Sequence, residues 1–278
     1  MSEVPAALAW AYAPARVHQI LCVIAGLAVL QQSLELLSMS SSFSERGVWR
    51  WSTLRLRYER LPRPLLALLD RLLGEKGVRA LLVGSCLAAG SMLVTPSLAA
   101  MSVCLLVTFL MALRFWGSVN GGSDSMTLLV LLSATVTELA GPGTTIGEAA
   151  LWYLGLQSLA SYMLAGLVKV QSASWRRGRA LDHHLRSAGL GSPPGSVSRI
   201  IRSRTGGIVT CWSVILFELL APMSLLDPRL TSAFVAVALA FHMMNAWLLG
   251  LHRFTLAWLS SHVALFALAA SLSRELSL

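Results

Sequence analysis

Lys169 stands where few charged residues are found. In the stretch YMLAGLVKVQSASWRRG (Tyr162–Gly178) it follows two apolar turns and precedes a tryptophan and an arginine cluster. On a helix of 3.6 residues per turn it shares a face with Tyr162, Ala165 and Gly166. Small residues at that spacing let a second helix or a ligand come close. Two readings stay open. A lysine near the end of a membrane helix can snorkel to the headgroups, whereas a desolvated amine can act as a base.

Two further residues could share that chemistry. Glu218 falls in the middle of the apolar stretch VTCWSVILFELLAPMSLL, where a carboxyl group is expected either to be protonated or to have a partner. Pro222, one turn later, is expected to kink the helix. His242 lies in AFVAVALAFHMMNAWLLGLHRF with Asn245 at i+3, so the pair either bridges helices or holds one imidazole nitrogen while the other handles a proton. Lys169, Glu218 and His242 form the candidate catalytic set. They are expected to converge on one cavity between the fifth, sixth and seventh spans, lined by Tyr162, Gly166, Asn245 and Trp212. Trp212 and Trp247 could stabilise cations through their ring faces.

Other polar residues carry weaker signals. Glu138, Glu148 and Asp124 lie near expected helix ends, where carboxylates have structural roles. His183 and His184 are adjacent in an expected loop and face different directions. Cys22, Cys86, Cys104 and Cys211 sit in apolar runs without CxxC spacing and read as small buried hydrophobes, so no metal site is expected. NGGSDS (120–125) reads as a turn and cap and lacks the GK[ST] of a phosphate loop.

The elements that position these residues follow from composition. Of 278 residues 55% are hydrophobic and only 13% charged, with a mean hydropathy of +0.67. Apolar blocks about twenty residues long match a bilayer core of about 30 Å crossed by a helix. The fold class is therefore all-α: a polytopic transmembrane helical bundle in a single domain over 1–278. About eight spans are expected, near 17–38, 79–95, 97–115, 123–140, 146–170, 207–226, 230–250 and 254–272. The first is read as a retained anchor. Pro96, GPG at 141–143 and DPR at 227–229 mark turns. Two long polar segments interrupt the pattern. The first, 39–78, contains an amphipathic stretch, LPRPLLALLDRLL, expected to lie in the interface. The second, 171–206, is an Arg-rich loop with a flexible GSPPGS connection at 191–196. A net charge of +9 is read as topology-setting arginine near anionic headgroups, not as nucleic-acid binding. Eight spans place both segments on one side together with Arg114 and Arg253, and the charge bias makes that side cytoplasmic.

YMLAGLVKVQSASW resembles a segment of the vitamin K-dependent γ-glutamyl carboxylases, with Lys169 on their catalytic lysine and Trp175 displaced by one residue. LFELLAPMSLL is similar to the next span, with Glu218 where an aspartate is usual. FHMMNAWLLGLHRF is similar to a Phe-His-x-Met-Asn stretch through Phe241, His242, Met244 and Asn245, with Phe254 also matching. RFWGSVNGG corresponds through Trp116 and Asn120 to a Trp-Asn-Asn-His segment whose histidine is absent here. The resemblance extends to the related bacterial HTTM (horizontally transferred transmembrane) domain and covers most of the hydrophobic core. It implies an enzyme of a bacterial cytoplasmic membrane doing acid/base chemistry on a lipid-soluble isoprenoid. A reduced quinone and oxygen are the implied co-substrates of quinol oxidation or epoxidation, and acid-initiated polyprenyl or terpenoid cyclisation is a second variant. Trp116 and Asn120 join the expected substrate-binding residues. The resemblance also puts the Lys169 end outside the cytoplasm, against the charge bias. The expected partners are the bilayer and a hydrophobic small molecule. Some bacterial relatives suggest a different role, non-enzymatic maturation or export of a small secreted peptide.

Overall fold

A computed structural model describes residues 13–116, 121–187 and 195–275. The described elements are all helical. The chain divides into two compact units, His18–Ala150 and Leu151–Leu278 with Met1–Val17. The GSPPGS connection lies mostly outside the described residues, as does Asn120.

The first unit is built on α1 (Pro14–Ser38), α2 (Arg63–Leu73), α3 (Glu75–Met92), α4 (Leu98–Phe115) and α5 (Gly121–Ala140). α2 packs on α3, α3 on α4 and α4 on α5. Ser97 caps α4 by accepting from the Ala100 N–H at 3.3 Å, satisfying a donor the helix cannot use. The polar segment 39–78 is packed rather than loop-like. It holds 3-10 turns at Ser40–Phe43 and Arg55–Tyr58 and a single α turn at Trp51–Leu54. Phe43, Trp51, Leu69 and Leu73 close over Val107, Leu110, Met111 and Phe115 of α4. α2 is helical as its sequence suggests, with Leu69 and Leu73 buried and Leu65 and Leu68 exposed. NGGSDS is no turn: from Gly121 onward it is the first turn of α5.

Arg114 departs from the topological reading. It is wholly buried, not a loop-side charge. Its guanidinium donates to the carbonyls of Leu73 and Trp49 and lies over the rings of Phe43, Trp51 and Phe115. The aromatic faces and carbonyls replace the water this cation has lost.

The second unit contains most of α6 (Thr145–Gln171), then a single turn at Ala173–Arg176, α7 (Ala180–Ser187), α8 (Gly195–Arg202), α9 (Arg204–Leu219), α10 (Pro228–Leu249) and α11 (His252–Glu275). The Arg-rich loop is thus largely helical, with His183 and His184 inside α7. Asp182 pairs with Arg186 at 2.9 Å and Arg202 at 3.2 Å, so part of the basic charge is met within the segment. α10 opens at Asp227, whose carboxylate accepts from the Arg229 N–H at 2.7 Å, with Pro228 at the first helical position. It ends at Gly250, whose φ of +67° is the left-handed conformation glycine adopts without strain. Arg253, placed with the loop arginines by the eight-span reading, is buried, while His252 is exposed.

Pro222 does more than kink the sixth expected span. α9 stops at Leu219 and the chain continues as a 3-10 turn, Ala221–Leu226. Proline has no N–H to continue the helical ladder. Glu218 therefore sits in the last turn of α9, not at mid-span.

Helices stand at all eight expected span positions. Five of them are long and apolar enough to cross a membrane: α1, α4, α6, α10 and α11. The pair α8 and α9, bent by 88°, adds a sixth if it is one broken span. α10 carries Val237, Met243, Met244 and Trp247 exposed, an apolar surface suited to lipid.

Candidate functional site

Two polar clusters line up along α6. The first is at its C-terminal end, where Lys169 Nζ donates to both carboxylate oxygens of Glu218 at 2.7 Å each. The Glu218 side chain is 4% exposed and that of Lys169 20%, so the amine is turned toward the Glu218 carboxylate. The Trp175 ring centroid lies 5.2 Å from Nζ. Gly166 makes the pairing possible. A Cβ there would lie 2.9 Å from Leu219 Cγ and 3.0 Å from its backbone nitrogen, so only glycine allows α9 this close to α6.

The second cluster is centred on Tyr162, two turns earlier, about 10 Å along the helix axis. The Tyr162 hydroxyl is 2.6 Å from Nε2 of His242 and 2.9 Å from Nε2 of His262. A hydroxyl has one hydrogen. It donates to one Nε2 and accepts an N–H from the other, so two neutral imidazoles here are opposite tautomers. Neither Nδ1 has a hydrogen-bond partner among the described residues, and neither has Nε1 of Trp258. One of the two Nδ1 atoms is therefore a donor and the other an acceptor. Trp258 stacks on His242 with ring centroids 5.4 Å apart, and Phe217 and Phe234 meet Tyr162 edge-on. Buried polar atoms are rarely left unpaired. Three of them fall in this one aromatic cluster.

No family model, no curated protein and no solved structure matches the chain.

The expected catalytic trio thus falls into two groups. Lys169 and Glu218 are one pair. His242 belongs to the other cluster, joined to the first through α6 and through Phe217, which neighbours Glu218 and packs on Tyr162. The expected His242–Asn245 pair does not form: His242 bonds to Tyr162, and the Asn245 carbonyl accepts from the N–H groups of Gly250 and Leu251 at the helix end. Trp212 donates to the Arg176 carbonyl at 3.3 Å and so ties α9 to the Ala173–Arg176 turn. Trp247 is 56% exposed on α10. Trp116, in the other unit, caps α4 at φ +49° and is 67% exposed. Among the described residues, neither Trp212 nor Trp247 has a ring contact with the Tyr162 cluster.

His262 and Trp258 are absent from the expected set. Both lie in FTLAWLSSHVALFALAA, which reads as an ordinary apolar run. The available signal was a histidine near the middle of an expected span, a position as costly as that of Glu218.

Proposed function

We propose that the chain is an integral membrane enzyme performing acid/base chemistry on a lipid-soluble substrate with a hydroxyl group, of which an isoprenoid quinol is the best fit. The Tyr162 bridge between two imidazoles whose outer nitrogens are unpartnered carries this reading. Such an arrangement moves a proton without a mobile group. A substrate hydroxyl gives its proton to the acceptor Nδ1. That ring's Nε2 proton passes to the Tyr162 oxygen as the phenol proton passes to the second imidazole, which releases its own Nδ1–H. The Lys169–Glu218 pair supports the same chemistry. Moving one proton from Nζ to the carboxylate leaves an amine and an acid with no change in net charge, so an amine base can form inside an apolar bundle. Because Glu218 is engaged by Lys169, base chemistry on a quinol fits better than cyclisation begun by a free carboxylic acid. Oxygen is the co-substrate that the resemblance to the carboxylases brings. The finer topology belongs to this reading: all eight helices cross, and α2 lies in the interface.

The test is quinol consumption in nanodiscs, measured beside the yield of monodisperse protein. Lys169→Arg keeps the charge but cannot readily give up a proton. It should lose activity as fully as Lys169→Ala, and His242→Ala should do the same. Full activity in Lys169→Arg would overturn the mechanism and favour the peptide-maturation role, in which these residues serve packing and pairing.

A further inference from the structure

The first unit holds a second cluster of ligand-type side chains that the proposed chemistry does not use. We propose that His18, Cys22 and Met101 form a binding site for a monovalent copper ion, with Glu138 orienting the histidine. Cys22 Sγ lies 3.7 Å from Met101 Sδ, 3.6 Å from His18 Nε2 and 3.9 Å from His18 Nδ1. A trigonal ion with bonds of about 2.0–2.3 Å to nitrogen and sulfur sets its ligand atoms about 3.5–4 Å apart. Two edges of that triangle are already in place. His18 Nε2 lies 2.8 Å from a Glu138 carboxylate oxygen. Nε2–H donates to it, which leaves the lone pair on Nδ1 as the free ligand. Metal-binding histidines are typically held by an outer carboxylate in this way.

The ligand types select the ion. No group of three or more His, Cys, Asp and Glu side chains gathers as a metal centre among the described residues, so the site is not of the zinc or calcium kind. What it adds is a thioether. Thiolate with thioether favours Cu(I) over the borderline and hard divalent ions. Charge points the same way. Cu(I) replaces the Cys22 thiol proton, which leaves by way of the half-buried Glu138, and the metal–thiolate unit is neutral. His18 is 4% exposed and Cys22 and Met101 0%, a setting in which a residual charge is costly. No electron is transferred in this step. Cys22 and His18 stand at i and i−4 on α1 and Met101 on α4, so the ion would tie these two helices together, with α5 joined through the His18–Glu138 hydrogen bond.

The experiment titrates the purified full-length protein with Cu(I) under ascorbate, against the competing chelator bicinchoninate. One Cu(I) per chain is expected, with X-ray absorption showing two sulfur neighbours and one nitrogen. Cys22→Ser should abolish one-to-one binding. Met101→Leu, which conserves volume, should reduce the sulfur shell to one, and Glu138→Ala should weaken binding by about 10–100-fold. A variant with Cys86, Cys104 and Cys211 all changed to alanine should bind as the parent does. The proposal is overturned by absence of one-to-one binding in the parent protein, by a sulfur-free metal shell, or by copper retained in Cys22→Ser and lost from the triple-alanine variant. Quinol turnover is scored in the same preparations. It is expected to be independent of copper, which keeps a failure here distinct from a failure of the proposed enzyme.

Discussion

The Lys169–Glu218 contact separates packing from chemistry by substitution. Glu218→Gln removes the counter-charge and leaves an ammonium group in apolar surroundings. Breaking one partner of a buried pair costs about 3–5 kcal/mol, and the partial exposure of Lys169 puts this case at the lower end. Replacing both members by Lys169→Met and Glu218→Gln should recover most of the thermal stability in detergent, because no unpaired charge remains, while activity stays lost. Recovery of activity together with stability would make the pair purely structural. Tyr162→Phe asks the same of the second cluster. It leaves two buried imidazole nitrogens without their shared partner, each worth about 1–3 kcal/mol. A lower melting temperature and lost turnover are both expected. Lys169, Glu218 and His242 were legible in the sequence because ionisable residues stand out in apolar runs. Their partners were less so. Helical spacing pairs His242 with Asn245, yet its partners Tyr162 and His262 are 80 and 20 residues away in sequence, a pairing that only helix packing decides.

At the level of helices, glycine spacing predicts which contacts tolerate change. Gly166→Ala puts a Cβ against Leu219 and should cost about 1–3 kcal/mol through overpacking. It should also separate Lys169 from Glu218 and lower turnover. Gly90→Ala on α3 meets no atom within 4 Å and should be neutral or stabilising, since alanine favours a helix by up to about 1 kcal/mol. Equal effects at the two sites would refute the close-approach argument. A pH effect belongs to the 39–78 segment. Arg55 and Trp51 both donate to Asp70, at 2.7 and 2.8 Å, and these bonds, that from Arg55 foremost, lower the carboxyl's pKa. Its contribution to stability is therefore present above the ordinary carboxylate range, near pH 4, and lost as pH falls through the lowered value. Protease cleavage between 39 and 62 should rise as the pH drops through that window and be far less pH-dependent in Asp70→Asn. Helix positions were readable from apolar length, and Pro96, GPG and DPR gave true boundaries. The end of α9 was not, because a proline one turn past a carboxylate permits either a kink or a stop, and only the turn at Ala221–Leu226 distinguishes them.

For the molecule as a whole, the open quantity is how many helices cross. Of the described helices at expected span positions outside the five long and apolar enough to cross a membrane, α3 and α9 are the shortest, of 18 and 16 residues. If each crosses, reporter fusions at Arg60 and Pro96 should read opposite sides, and so should fusions at Arg186 and Asp227. The same answer within either pair would make that helix interfacial. The sequence segregated apolar blocks from arginine-rich ones, which is enough to see a membrane protein. It did not reveal that a charge counted among the loop arginines is interior, because Arg114 differs from its neighbours only in what folds over it. That placement has a consequence for synthesis. A ribosome makes Trp49 and Leu73 before Arg114, so both carbonyl acceptors are available when the end of α4 emerges. An arginine arriving at a bilayer with no acceptor waiting would have to stay wet. Here the upstream segment can meet the guanidinium as it leaves the insertion machinery, and burial of the cation then holds that segment in place. The order of translation is itself a provision for this residue, and a circular permutant that makes α4 first should insert poorly even though every native contact remains available to it.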